Sequence, residues 1–273
     1  MSFAGWRVAA ASVAGAAHVR QGLGCQDTHL WRVAGGASAA PVLIAVLADG
    51  AGSACRAEAG ARLACAFILG AVESLLVGGA GPRDVDRGRV ETWLAELATE
   101  TARLAAAEEL APRDFSSTLL TAVVAADCAA FFQVGDGAIV VDAEPPRQGY
   151  DCVFWPAHDE YENVTFFAAQ PDAAEHLLWT LVDRPVAELA LFSDGLQRLA
   201  LDYAAQQPYA PFFRSMLSPL HDQDAGPNAD QVAGEDGLSL SLAAFLDSPR
   251  VNDRTDDDKT LMLAVRAPGL PDA

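Results

Sequence analysis

Apolar residues fall in short blocks separated by glycine- and aspartate-rich turns. Trp6 to Ser12 reads as a strand, and Val42 to Leu47, a β-branched apolar run, as a buried one. Cys55 to Leu76 is Ala/Leu-rich with helix propensity throughout. Val90 to Leu110 is a second helix, with charged residues interspersed through an apolar face. His18 to Asp27, punctuated by Gly22 and Gly24, and Gly78 to Gly88 are expected to be turn and loop.

Beyond Pro112 the pattern shortens. Ser117 to Ala125 and Ala129 to Val134 read as strands around an Ala126-Asp127 turn, and Ala138 to Asp142 as another after Gly135-Asp136-Gly137. Cys152 to Trp155 and Asn163 to Ala168 are strand candidates, and Asp172 to Trp179 reads as a short helix or turn. Val186 to Phe192 is a strand ending in Ser193-Asp194-Gly195. Tyr203 to Gly237, rich in Pro, Gln, Asp and Gly, reads as a mobile insertion with one short helix near Phe212 to Leu217. Leu238 to Leu246 is a helix, Asn252 to Lys259 a polar turn, and Thr260 to Val265 a final strand.

Grouped strands and grouped helices, without regular βαβ alternation, predict an α+β fold with sheets packed on one another and helices outside. No internal repeat and no dividing linker is visible. The expectation is one domain over residues 1–267, with 203–237 an insertion and 268–273 a tail.

Composition narrows the classes of function. The 273 residues are 51% hydrophobic, enough for a sizeable core, and carry a formal net charge of −19. Nucleic-acid binders and proteins of anionic membrane surfaces carry the opposite sign, so neither partner is expected. The five cysteines are odd in number with no CxxC spacing, and Met1 to Ser12 lacks the basic start and apolar core of a signal peptide. Leu63 to Val77 is interrupted by Glu73, so no membrane span is expected. These features predict reduced, core-filling thiols in a cytoplasmic protein.

Chemistry enters where strands end. Leu47-Ala48-Asp49-Gly50, Val134-Gly135-Asp136-Gly137 and Phe192-Ser193-Asp194-Gly195 each set an Asp-Gly at an apolar strand's end, and Asp256-Asp257-Asp258-Lys259-Thr260 precedes the last strand. A strand end fixes the direction of a carboxylate, and glycine lets a ligand approach the backbone. Converging carboxylates repel unless cations compensate, and all-oxygen ligands favour Mg²⁺ or Mn²⁺ over zinc. Asp-Gly is also a common hairpin turn, and Asp127 and Asp142 are read as turns.

In order and content these segments resemble the type 2C, metal-dependent protein phosphatase family, above all its compact bacterial members. The resemblance runs from about Trp6 to Arg266. It includes Gly24-Cys25-Gln26-Asp27, Ala48-Asp49-Gly50-Ala51-Gly52, Ser116-Ser117-Thr118-Leu119, Gln133-Val134-Gly135-Asp136-Gly137, Leu191-Phe192-Ser193-Asp194-Gly195-Leu196 and Asp257-Asp258-Lys259-Thr260. It implies a four-layer α-β-β-α sandwich of two antiparallel sheets flanked by helices, with Tyr203 to Gly237 as a flap beside the active site. It also implies serine/threonine phosphoprotein hydrolysis by a metal-activated water, with two Mn²⁺ or Mg²⁺ ions and a weaker third.

Carried over by position, Asp49 would bridge two ions, and the Gly50 carbonyl would touch the second. Asp194 and Asp257 would hold the first, and Asp136 would support the third. Asp27 would orient the water. Gln26 stands where many relatives have a metal-contacting Glu. Ala51 stands where some have a histidine, and Gly22 where the usual phosphate-binding arginine falls, with Arg20 or His18 as substitutes. Small bacterial relatives act beside a partner Ser/Thr kinase. The alternatives are a catalytically weak or dead relative that binds a phosphoprotein or kinase, and a hydrolase of small phosphoesters on the same fold.

Overall fold

Alternation along the strands decides the architecture. The computed structural model describes residues 5–35, 40–145, 147–156, 165–221 and 237–267. The chain begins with β1 (Trp6–Val13), α1 (Ala16–Gln21), β2 (Thr28–Ala34) and β3 (Val42–Ala48), followed by the long helices α2 (Ala57–Val77) and α3 (Arg87–Ala107). A run of strands follows: β4 (Leu119–Val124), β5 (Ala129–Val134), β6 (Ala138–Asp142), β7 (Tyr150–Cys152), β8 (Leu178–Val182) and β9 (Glu188–Phe192). The short helix α4 (Gln197–Ala200) leads to the two-residue strands β10 (Leu201–Asp202) and β11 (Gln207–Pro208). Helices α5 (Ala210–His221), α6 (Gly237–Leu246) and α7 (Pro249–Asn252) precede β12 (Lys259–Arg266).

Two antiparallel sheets result, ordered β1-β12-β9-β6-β7 and β2-β3-β4-β5-β8. Successive side chains on a strand point to opposite faces. Leu43, Ala45 and Leu47 of β3 therefore pack with Val8, Leu191 and Met262 of the other sheet in a shared core. Their neighbours Ile44, Val46 and Ala48 pack with Ile68 and Val72 of α2 and with Leu94 and Leu97 of α3. On the other sheet, Ala190 and Leu263 turn outward onto Phe213 and Leu217 of α5 and Leu246 of α6. Each sheet has one face on its partner and one on helices, which gives the expected α-β-β-α layering. Each large apolar side chain so buried contributes roughly 1.5–3 kcal/mol.

By length and composition α2 could cross a membrane. Here it is a core layer, with Ala61, Ala64, Cys65, Ile68 and Val72 buried against the β3 side of its sheet. Helix α3 begins at Arg87, three residues before its apolar pattern, because the Asp86 carboxylate accepts the Arg89 N–H at 2.8 Å and caps it.

The sequence pattern missed some elements. Residues 18–21, expected in a turn, fall in α1, a helix with no buried residue and thus no periodicity to read. Strands β2 and β8 are the two edges of their sheet; β2 buries only Trp31 and β8 buries no residue, so neither shows an apolar face. Residues 165–168, within a candidate strand, pair with no sheet; Phe166 stacks on His176 at 3.3 Å and the Ala168 N–H donates to the Ser117 carbonyl. Residues 163 and 164 of that candidate lie outside the described residues, as do 222–236 of the expected insertion. The described part of that insertion is structural: Phe212, Phe213, Leu217 and Leu220 bury α5 in the outer core.

Candidate metal and catalytic site

The strand ends bring the aspartates together. Asp49 follows β3 and Asp27 precedes its neighbour β2, both on one sheet. Asp194 follows β9 and Asp257 comes two residues before β12, paired strands of the other sheet. The site is therefore assembled across the two sheets at one edge of the sandwich.

Close approach of backbone is built in. Gly50 bridges to Ser117, and a side chain there would meet the Gln26 carbonyl at 2.7 Å. A Cβ on Gly195 would lie 2.1 Å from the Asp258 carbonyl, so only glycine lets the Asp194 turn rest on the loop that carries Asp257. Thr118 locks the Asp49 backbone: its hydroxyl accepts the Asp49 N–H at 3.0 Å and its own N–H donates to the Asp49 carbonyl at 2.8 Å.

Electrostatics confirm that the acids crowd. Burial, then the charges of Asp27 and Asp194, push the Asp49 carboxyl well above the usual carboxylate range, and it shares a hydrogen bond with Asp194. Asp194 is pushed up to about 6 by burial and by Asp136 and Asp257. Asp27 is pushed up to about 7 by burial, against hydrogen bonds from Ser193 and Thr260 that favour its charged form. Desolvation and like charge are both relieved by a cation.

Among the described residues no three or more acidic, histidine or cysteine side chains are drawn tightly enough to make a ready-formed metal cage. The donor set nevertheless suits a hard divalent ion. Buried oxygens Asp27 Oδ1, Asp194 Oδ1 and Gln26 Oε1 have no hydrogen-bond partner. Leaving such atoms unsatisfied is costly, and all three are the oxygen donors that Mg²⁺ or Mn²⁺ takes. The thiols do not compete: burial pushes Cys25, Cys65 and Cys152 up, so they stay protonated. All five cysteines are unpaired.

A cleft of about 1080 Å³ opens beside this cluster. Asp136, Asp194 and Asp257 line it, together with Trp155, Tyr203, Phe166 and His176. Asp136 accepts from the Thr165 hydroxyl at 2.8 Å, and its carbonyl accepts from Gln197. Asp27 and Asp49 do not line the cleft and join it through Asp194. The Gln26 side chain lines a second cavity of about 570 Å³ beside the start of α2.

His18 and Arg20 stand on α1 and do not line the cleft. His18 Nδ1 is 2.9 Å from Asp258, and Arg20 pairs with the exposed Asp256 at 3.3 Å. Asp258, which sequence reasoning passed over, organises this corner. Only 2% exposed, it also accepts the N–H groups of Gly15 at 2.6 Å and of Gln26 at 2.5 Å. Its only signal in the sequence is its place in a run of three aspartates before an apolar strand. Ser193 and Thr260, polar and fully buried at strand ends, were missed likewise.

Residues 14–246 match the sequence profile of a family described as Protein phosphatase 2C. Serine/threonine-protein phosphatase 3 of Escherichia coli (strain K12) is 36% identical over 264 residues, covering 96% of this chain and 99% of that protein. Among solved structures, PppA, a key regulatory component of T6SS in Pseudomonas aeruginosa, matches with a TM-score of 0.58 at 18% identity, over 96% of this chain and 97% of that one. RsbX in complex with magnesium matches with a TM-score of 0.53 at 11% identity, over 95% and 94%. At these identities the two structures establish likeness of fold.

Proposed function

The chain belongs to the protein phosphatase 2C family, and from that premise we propose how its residues carry out the reaction of a serine/threonine protein phosphatase. The family is metal-dependent. The observation that carries the reading is the convergence of Asp27, Asp49, Asp194 and Asp257 from two sheets, with buried oxygens left unpartnered. Asp49, Asp194 and Asp257 are the residues we assign to hold divalent ions, Mn²⁺ or Mg²⁺, with the Gly50 carbonyl and Gln26 at a second position and Asp136 at a third. Ions bound there supply Lewis acidity, lowering the pKa of water and offsetting phosphoryl charge.

The chain's own groups do the rest. Asp27, fixed by the Ser193 hydroxyl at 2.8 Å, accepts a proton from the attacking water and orients it. The Thr118 bonds hold Asp49 in register with its strand. The cleft beside Asp194 and Asp257 receives the phosphorylated side chain of a protein substrate, with Trp155 and Tyr203 as an apolar wall, their rings 5.7 Å apart. The presence together of Asp49, Asp194 and Asp257 gives no support to a relative that binds without hydrolysing. A Ser/Thr kinase that phosphorylates the same substrate is its natural counterpart, and the unpaired thiols suit the cytoplasm.

The test is hydrolysis of a phosphothreonine peptide by the full chain. Turnover is expected with Mn²⁺ or Mg²⁺ and none with chelator. Full activity in chelator, or rescue by zinc alone, would overturn the assignment.

A further inference from the structure

Beyond Asp194 and Asp257 the cleft is lined by Asp136, Glu175, Asp253 and Asp256, on a chain of net charge −19. That field repels a phosphomonoester, which is itself a dianion near neutral pH. Two lining residues carry the opposite charge, Arg198 on α4 and Arg254 after α7. Arg198 is four residues beyond Asp194, and Arg254 three before Asp257, so each rides on a segment that carries a cluster carboxylate. Many other surface arginines are committed to carboxylates, as Arg56 is to Glu108 and Arg83 to Asp127 and Asp183, and exposed Arg113, Arg214 and Arg250, which lack such a pair among the described residues, do not line the cleft. Among the described residues neither Arg198 nor Arg254 has an ion pair or a side-chain hydrogen bond, despite the acids around them. His18 and Arg20, the cations expected at the phosphate, do not line the cleft and are engaged with Asp258 and Asp256.

From this we infer that Arg198 and Arg254 are the groups that hold the substrate phosphate, entering from the two segments that flank Asp194 and Asp257. A guanidinium offers paired N–H donors that match two phosphate oxygens, and it stays charged at any working pH. Both side chains are exposed, so truncation removes the charge without opening the core. The inference rests on the phosphatase reading above.

The experiment compares the full chain with Arg198→Ala, Arg254→Ala and Arg198→Lys in saturating Mn²⁺. It measures kcat and KM for an aryl phosphate and a phosphothreonine peptide, and inhibition by inorganic phosphate. Each alanine variant should raise KM and the phosphate inhibition constant together by about tenfold or more, the scale of one lost charge-assisted hydrogen bond. Arg198→Lys should recover part of the loss. Melting temperature and the half-saturating Mn²⁺ concentration should match the parent. Alanine variants whose KM and phosphate inhibition stay within about twofold of the parent, on the same scale, overturn the inference while leaving the phosphatase reading intact. A shift in the Mn²⁺ requirement with unchanged phosphate inhibition also overturns it, since the arginines would then be supporting the metal cluster. A parent chain that hydrolyses neither substrate removes the phosphatase reading and this inference with it.

Discussion

Ser193 donates its hydroxyl hydrogen to Asp27 at 2.8 Å across 166 residues of chain, and the same oxygen accepts the Thr260 N–H at 3.0 Å. One fully buried hydroxyl thereby ties the end of β9 and the start of β12, in one sheet, to the residue that opens β2 in the other. Ser193→Ala removes this bond to Asp27, whose other oxygen is already unpartnered, and takes the acceptor from the Thr260 N–H. Loss of about 1–3 kcal/mol of stability is expected, read as a lower denaturant midpoint. Turnover should fall as well, because Asp27 loses its orientation. An unchanged midpoint would mean that the hydroxyl is dispensable.

Asp49→Asn and Asp194→Asn should each abolish turnover. Without metal, each variant should be as stable as the parent or more so, because one charge leaves a crowded, desolvated cluster. Each should also lose the rise in melting temperature that Mn²⁺ gives the parent by mass action. A turn-capping aspartate would behave differently, losing stability with or without metal. Variants that melt lower in chelator yet still gain from Mn²⁺ would contradict the metal assignment.

The cluster also fixes a pH dependence for the metal-free chain. Asp27 and Asp194 have folded-state values of about 7 and about 6, above an unfolded value of 3.8. Between these limits the folded chain binds more protons, so stability is fullest below 3.8 and declines as pH rises through about 6 to 7. His29, buried and lowered from 6.5 to about 4, acts with the opposite sign and costs stability as pH falls between those values. Melting curves in chelator from about pH 4 to about pH 8, which bracket both folded values, should show the decline, and Asp194→Asn should flatten it. Metal-free stability that climbs steadily to pH 8 would contradict the crowding.

Gln26→Glu should lower the half-saturating Mn²⁺ concentration. Its side-chain oxygen Oε1 is buried without a partner, and a carboxylate there adds charge where an amide cannot. Metal titration of activity checks this, and an unchanged or higher requirement would separate Gln26 from the metal.

The layered fold was legible because central strands β3 and β4 are apolar throughout but for Thr121 and α2 and α3 carry long helical patterns. What escaped lies where one face meets solvent. Edge strands β2 and β8 and helix α1 bury too little to leave a period in the sequence. The aspartates Asp49, Asp136 and Asp194 were legible from one local sign, an apolar run meeting Asp-Gly. Asp258 and Ser193 were not, because their importance comes from partners more than 160 positions away. Nothing beside Asp258 in sequence separates it from the exposed Asp256; burial alone does so. For the phosphate contact, α1 carries His18 and Arg20 into pairs with acids, and Arg198 and Arg254 reach the cleft from positions without a motif.

The last described strand, β12, is not an edge: it pairs with β1 on one side and β9 on the other. Of the described strands a ribosome makes β1 first and β12 after all the others, so this sheet stays split until β12 emerges. Asp257 arrives with β12, and the hydroxyl and backbone links at Thr260 and Asp258 that steady Asp27 and Gln26 arrive with it. A nascent or truncated chain lacking that strand would hold Asp27, Asp49 and Asp194 but no assembled centre. Closure of the β1-β12-β9 sheet and the arrival of Asp257 are therefore one event in the order of the chain.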